Sequence, residues 1–357
     1  MGETVSEKTE AAIEPPHLNT IMTRSTQIET KTFSATMRRK GIDLENKRVL
    51  ITNYKHTTQS EDFTVPSNCA GFGRIHHFRR NQPEPWPSNP LPLEPAAKSL
   101  NLPESDLVRA QVFQNAICSW RCWYCFVDFE SLSANRNFSE YKSAAELIEL
   151  YLNETNRAHI IDLSGGQPDL VPEWSLWFVQ ELRRRKLEDK VFLWTDDNLS
   201  NDYLWRYLTP NQLRELVEFP NYARVGCFKG FDSESFSFNT MAEPAAFGEQ
   251  FKIMKRLVQS GFDVYGYTTF TTPTDAGIPK KMSEFVDRLQ EYIHPNFPLR
   301  TVPLSIAEYT PTKGRIGPAH ARALELQEIA VEAWNSELSS RFSSEVRQKK
   351  VTEHRLR

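Results

Sequence analysis

A chain of 357 residues, 39% hydrophobic and with a formal charge of −3, can build one large α/β domain with a lesser appendage. No apolar run approaches the roughly 18 residues that span a membrane, and the first residues lack the charged-then-apolar order of a secretory signal; Met1-Gly2 with Ser6 is too weak a pattern for myristoylation. The charge balance offers no footprint for nucleic acid, and five cysteines, three of them clustered, argue for a reducing compartment such as the cytoplasm rather than a disulfide framework.

Residues 1–35, rich in Thr, Ser and Glu and poor in periodic apolar positions, are expected to form a disordered tail. Residues 36–100 form an accessory segment. In it Arg48-Val49-Leu50-Ile51-Thr52 predicts a short strand, and six prolines between 82 and 95 predict an extended connector. Cys69, His76 and His77 lie between them. Adjacent histidines on a strand point to opposite faces, which argues against a shared metal ion.

From residue 101 to 315 apolar strands alternate with amphipathic helices. Strands are predicted at 108–114, 158–163, 190–195, 223–228, 262–270 and 299–305, and helices at 139–154, 173–187, 199–217, 243–260 and 280–294. Strand-then-helix order implies a parallel sheet with right-handed crossovers. Six units with no sign of double winding suggest an open, partial (βα)6 barrel, although periodicity alone leaves a Rossmann-like sheet open. Residues 316–357 supply a closing helix, about 318–346, and a tail. The basic run Arg183 to Lys186 falls at a helix end, where cations suit the dipole.

In parallel barrels chemistry sits at the C-terminal strand ends. Directly after the first core strand stands Cys118-Ser119-Trp120-Arg121-Cys122-Trp123-Tyr124-Cys125, with C-x3-C-x2-C spacing. Three thiolates on one loop can hold three irons of a [4Fe–4S] cluster and leave the fourth iron open. The rival, structural zinc, needs four closed ligands, and Cys69 and Cys227 are isolated in sequence. The next strand runs into Ser164-Gly165-Gly166-Gln167-Pro168, the third into Thr195-Asp196-Asp197-Asn198, and the fourth into Cys227-Phe228-Lys229. For Asp197 or Asn198 an N-cap role is the alternative. The fifth and sixth strands end in Thr268 to Pro273 and in Glu308-Tyr309, a polar lining that suggests a polar substrate. For Glu308 a solvent-facing loop position is the alternative.

The cysteine spacing, with Tyr124 before the last cysteine, resembles the radical S-adenosylmethionine (radical SAM) superfamily, in particular proteins related to the pyruvate formate-lyase activating enzyme. The resemblance covers roughly residues 106–312 and implies the (βα)6 fold. It implies a [4Fe–4S] cluster on Cys118, Cys122 and Cys125, whose electron cleaves SAM to a 5'-deoxyadenosyl radical that abstracts hydrogen from a substrate. It further implies Tyr124 beside the adenine and Gly165, Gly166, Gln167 and Pro168 on the methionyl amino group. Thr195 and Asp197 would lie near SAM, and Lys229 would meet its carboxylate. Gln167 stands where the family has Glu, and Cys227 where the activating enzymes have Asp. The second departure puts glycyl-radical activation in doubt. The implied partners are SAM, an electron donor such as flavodoxin or ferredoxin, and an unidentified substrate: a protein or peptide, or a small polar molecule. Two other functions stay open, a radical SAM enzyme acting on RNA and a non-catalytic metal-binding module. Two cysteines outside the motif are too few for a cysteine-ligated second cluster, and no cobalamin-binding domain is recognisable.

Overall fold

The computed structural model describes residues 27–356, so the tail expected over 1–26 lies outside the described residues. Residues 30–35, expected to lack structure, instead open helix α1 (Thr30–Gly41). Glu29 caps it, its carboxylate accepting from the amides of Lys31 and Thr32 at 3.1 and 2.8 Å. The short β1 (Ile42–Asp43) and β2 (Arg48–Thr52) follow, then β3 (Gly73–Arg79), helix α2 (Leu93–Leu100) and β4 (Leu107–Gln114). Next come β5 (Ser139–Ser143), α3 (Ala144–Leu152), β6 (Ile160–Ser164), α4 (Glu173–Arg184) and β7 (Phe192–Asp197). After them stand α5 (Tyr203–Tyr207), α6 (Pro210–Val217), β8 (Tyr222–Phe228), α7 (Ser233–Thr240), α8 (Ala246–Ser260) and β9 (Val264–Thr269). The chain closes with α9 (Ile278–Arg288), β10 (Thr301–Leu304), α10 (Pro318–Arg341) and α11 (Ser344–Arg347).

The main sheet has seven strands in the order β10-β9-β8-β7-β6-β4-β3. Neighbours from β4 to β10 pair in parallel, whereas β3 pairs with β4 antiparallel. The sheet is open and curled: all seven strands send side chains to one inner apolar cluster, among them Phe78, Ala110, Ile160, Trp194, Val225, Tyr267 and Val302. Leu91, Leu93 and Ala96, together with Val351, join that cluster and plug the lower end. The outer face packs under the helices. In α8 the buried Phe247, Gln250, Phe251, Met254, Leu257 and Val258 fall on one stripe at helical spacing.

Several element expectations change. Residues 139–143 form β5, which pairs antiparallel with β2, and helix begins only after the Ser143–Glu146 capping box. The single helix expected over 199–217 is two, because Thr209 caps a new helix with Pro210 at its first position. The 280–294 helix ends in a π turn at Leu289–Ile293. Nor is the accessory segment a separate body: β2 joins β5, and β3 extends the main sheet. The proline connector crosses the opening between the two sheet edges, where Gln82 Nε2 donates to Pro303 O at 3.3 Å and Asn89 Nδ2 to the Tyr267 hydroxyl at 3.3 Å. At the upper end Thr310 N and Oγ1 donate to the Asp62 carboxylate at 2.9 and 3.0 Å. The basic run at the end of α4 is paired as a solvated helix end: Arg184 and Arg185 with Glu181, and Arg183 with Glu215.

Candidate functional site

The cysteine loop leaves β4 and is fixed at many points. Trp123 N and Arg121 N donate to the carbonyls of Asn239 and Thr240, each at 3.2 Å, so the loop lies along the end of α7. The Trp123 indole donates to Asn239 Oδ1 at 3.1 Å and the Trp120 indole to Thr30 Oγ1 at 3.1 Å. Arg121 donates to the carbonyls of Cys118 and Trp120 at 3.0 and 2.9 Å, and Arg315 to those of Cys125 and Val127 at 2.7 and 2.8 Å. Two guanidinium groups therefore clamp the loop at both ends. Both sit over the Phe129 ring, at 5.9 and 3.7 Å.

The Gly-Gly turn after β6 packs directly on this loop. Gly165 has φ +86°, a conformation that glycine alone adopts without strain. A Cβ on Gly166 would lie 2.1 Å from Asn115 Oδ1 and 2.6 Å from Ile117 O, so the close approach demands glycine. Gln167 N donates to Ile117 O at 2.8 Å, and Asn115 Nδ2 donates to Gln167 O at 2.7 Å. The Gln167 side chain is buried: its carbonyl accepts from Ser119 N, Ser119 Oγ and Asn198 Nδ2 at 3.2, 2.5 and 3.3 Å, and its amide donates to Ser200 Oγ at 2.6 Å. Asn198 Nδ2 also reaches Cys118 Sγ at 3.7 Å.

One cavity of about 510 Å³ joins most of the expected site residues. Cys118, Cys122, Cys125, Tyr124, Gly165, Gly166, Asp197 and Lys229 all line it. Gln167, Pro168 and Thr195 do not. Gln167 is spent on the cysteine loop, Pro168 is buried, and the Thr195 hydroxyl pairs with the Tyr222 hydroxyl at 3.1 Å. Asp197 acts partly as a cap, accepting from the amides of Leu199 and Asp169 at 2.7 and 3.2 Å. Glu308 is exposed and outside the cavity. His76 and His77 line the cavity, and Cys69 is buried elsewhere.

The three motif cysteines are free thiols. Burial pushes the Cys118 thiol up against the pull of Arg121, and pushes Cys122 up to about 12 against the pull of Lys229. Burial works against the Lys229 ammonium, but Cys227, Tyr124 and Cys122 around it hold its pKa well above the usual lysine value. The Tyr124 hydroxyl is 2.9 Å from Thr269 Oγ1 at the end of β9.

Below this rim lies a polar group that the sequence patterns did not bring together: in them His76 figures only as a metal candidate and Asp196 only as part of a turn, while Arg74 and Asp162 carry no functional role. Asp162 on β6 and Asp196 on β7 face the cavity from one face of adjacent strands, and Arg74 and His76 face it from β3. The signal available in the sequence was a carboxylate inside the otherwise apolar strand Ile160–Ser164. Arg74 gave none, and the adjacent histidines pointed only to a metal role, because the pairing of β3 with β4 was not anticipated. Burial moves His76 down to about 3, with Arg74 acting the same way, so its ring is neutral.

Among the described residues no three His, Cys, Asp or Glu side chains are close enough for one metal ion. Thiolates of a [4Fe–4S] cluster bind separate irons and need not converge on one point. Three free thiols on one cavity wall, beside Lys229 and with an amide donor on Cys118, fit such a cluster by donor chemistry.

No protein-family model matches the chain, and no curated protein matches it. Among solved structures it is similar to Streptococcus suis SuiB bound to S-adenosylmethionine, at 17% identity and TM-score 0.43, over 65% of this chain and 47% of SuiB. It is also similar to SuiB bound to the precursor peptide SuiA, at 16% identity and TM-score 0.42, over 64% of this chain and 46% of that one. The chain thus spans less than half the length of the SuiB structures it matches.

Proposed function

We propose that the chain is a radical SAM enzyme that holds a [4Fe–4S] cluster on Cys118, Cys122 and Cys125. One observation carries this: the three thiols, the Gly165-Gly166 turn and Lys229, far apart in sequence, line a single cavity at the C-terminal ends of the parallel strands β4, β6 and β8. A bound cluster with one open iron would supply the electron for reductive cleavage of SAM. The chain's own residues do the rest. Arg121 and Arg315 hold the loop carbonyls, so the three thiols keep a fixed spacing. The close packing of Gly165 and Gly166 puts backbone at the rim of the cavity, where main-chain polar groups can hold an ammonium. Lys229 offers the matching cation for a carboxylate. Tyr124, pinned by Thr269, gives a rigid aromatic wall at the same rim. The connector across the sheet opening and the plug at its lower end close those two sides of the cavity and so limit the entry of bulk water. The activating-enzyme likeness rests on sequence motifs alone, and Cys227 in place of its aspartate points to a different substrate.

Anaerobic reconstitution with iron and sulfide tests the ligand set. About four irons and four sulfides per chain are expected, with a brown chromophore lost in Cys118→Ala, Cys122→Ala and Cys125→Ala. A wild-type protein that keeps one zinc and takes up no sulfide would favour the structural-metal alternative.

A further inference from the structure

The inner end of the cavity carries three polar atoms without a well-formed hydrogen bond, all on side chains lining it: Asp162 Oδ1, Asp196 Oδ1 and Arg74 Nε, with the Trp194 indole N–H beside the Asp196 carboxylate. Asp162 is 2% exposed and Arg74 7% exposed, so water does not readily satisfy these two, whereas Asp196 is half-buried. The strand register pairs Asp162 with Trp194, which sets Asp196 two residues further along the same face, and Ser164 Oγ donates to the other Asp196 oxygen at 2.8 Å. Arg74 lies between the rings of Phe63 and Phe126, at 5.6 and 5.2 Å, and its Nη1 is 3.3 Å from His76 Nδ1. The neutral ring of His76 brings no charge to the group.

From this arrangement we infer that the inner end of the cavity is a substrate-recognition site for a primary ammonium group seated between the carboxylates of Asp162 and Asp196. An ammonium brings three donors and no acceptor, which matches two orphaned carboxylate oxygens on neighbouring strands. A neutral hydroxyl brings one donor, and an anion brings none and meets two carboxylates. Arg74 Nε, one donor away, then takes an acceptor on the same molecule, so the ligand carries an ammonium near a carbonyl, hydroxyl or carboxylate oxygen. Burial pushes both carboxylates up, and at Asp162 the neighbouring Asp196 adds to it, against the pull of Arg74 on both and of Lys229 on Asp196; a bound cation between them favours their charged forms. The ammonium-binding itself stands on the side chains named here. Its role as the substrate end rests on the function proposed above, with SAM at the cysteine rim.

Calorimetric titration of the purified protein with n-butylammonium and with n-butanol, its neutral counterpart, tests the site. Nα-acetyl-lysine methylamide serves as a third probe, to separate a peptide-borne amine from a free one. The amine is expected to bind and butanol to fail. Asp162→Asn and Asp196→Asn, each close in shape to the side chain it replaces, are expected to weaken the amine about tenfold or more, with melting temperature and S-adenosylhomocysteine binding read alongside to show that each variant is folded. Tighter binding of the acetyl-lysine probe would identify a peptide-borne amine, and tighter binding of butylammonium a free one. S-adenosylhomocysteine, added as an unreactive occupant of the rim, should leave amine binding unchanged. Equal binding of butanol, unaltered amine affinity in both Asn variants, or displacement of the amine by S-adenosylhomocysteine would each overturn the inference. Failure of S-adenosylhomocysteine to bind at all would count against the radical SAM function and leave amine binding to be judged by itself.

Discussion

At the scale of single residues, two glycines and one amide decide whether the cysteine loop can form. A methyl group at Gly166 meets the Asn115 and Ile117 carbonyl oxygens, which are backbone and cannot turn away. Gly166→Ala is therefore expected to destabilise the fold by several kcal/mol, on the order of other overpacked sites, and to lower iron uptake in proportion. Thermal melts and iron assay on the same preparation would reveal this. Gln167→Ala strands the Ser119 amide and hydroxyl and the Asn198 amide in the interior, at a cost of about 2–4 kcal/mol. Gln167→Glu keeps those three acceptor contacts, and the Ser200 hydroxyl can turn to donate to it, so it should cost much less. Comparable denaturant midpoints for the two variants would contradict the role assigned to that carbonyl. Asp197 carries a pH signature. Burial and the nearby Asp169 push it up to about 8, against the pull of Arg224. Raised above its unfolded value near 3.8, it binds a proton in the folded protein that the unfolded chain has lost, so its contribution falls as pH rises from about 4 through about 8. Relative to wild type, Asp197→Asn should thus gain stability between pH 5 and pH 8.5, measured as the difference in melting temperature.

At the scale of elements, helix α1 supports the site although it contributes nothing to the cavity wall. Thr30 holds the Trp120 indole, and Arg38 donates to Leu170 O at 2.9 Å while pairing with Glu173 at 2.5 Å, so one helix braces both the cysteine loop and the turn after the Gly-Gly pair. Glu173→Ala leaves Arg38 charged, largely buried and unpaired, and should cost about 3–5 kcal/mol in chemical denaturation. A loss under 1 kcal/mol would show that the bracing is dispensable. Most residues of the candidate site that the sequence named line one cavity, where chemistry fixes spacing. Cysteine spacing and paired glycines at strand ends are local patterns, and they meet on one cavity. What escaped was set by pairing partners far along the chain. Residues 30–41 show little apolar periodicity, yet fold because Met37 and Arg38 find buried partners on the core. Gln167 reads as a ligand-facing residue in the motif, but its side chain turns toward Ser119, 48 residues earlier. Asp162 is a carboxylate in a mostly apolar strand, but the face it takes is set only by the curl of the sheet.

At the scale of the whole molecule, the accessory segment narrows an open sheet into a chamber that stays open at its rim. Strand β3 lengthens the sheet, α2 plugs the lower end, and the connector spans the remaining opening through Gln82 and Asn89. This continuity explains why the division at residue 100, natural from composition, is not a division in space. The chamber places thiols and paired glycines at the rim and buried carboxylates within, an arrangement suited to chemistry that must exclude water and hold two molecules end to end. The central claim is that the rim uses SAM. The most direct measurement is the yield of 5'-deoxyadenosine when the reconstituted protein is mixed with SAM and dithionite under anaerobic conditions and resolved by chromatography. Deoxyadenosine from the wild type and none from Cys122→Ala is the predicted result. A fully reconstituted wild type that yields no more than Cys122→Ala would contradict it.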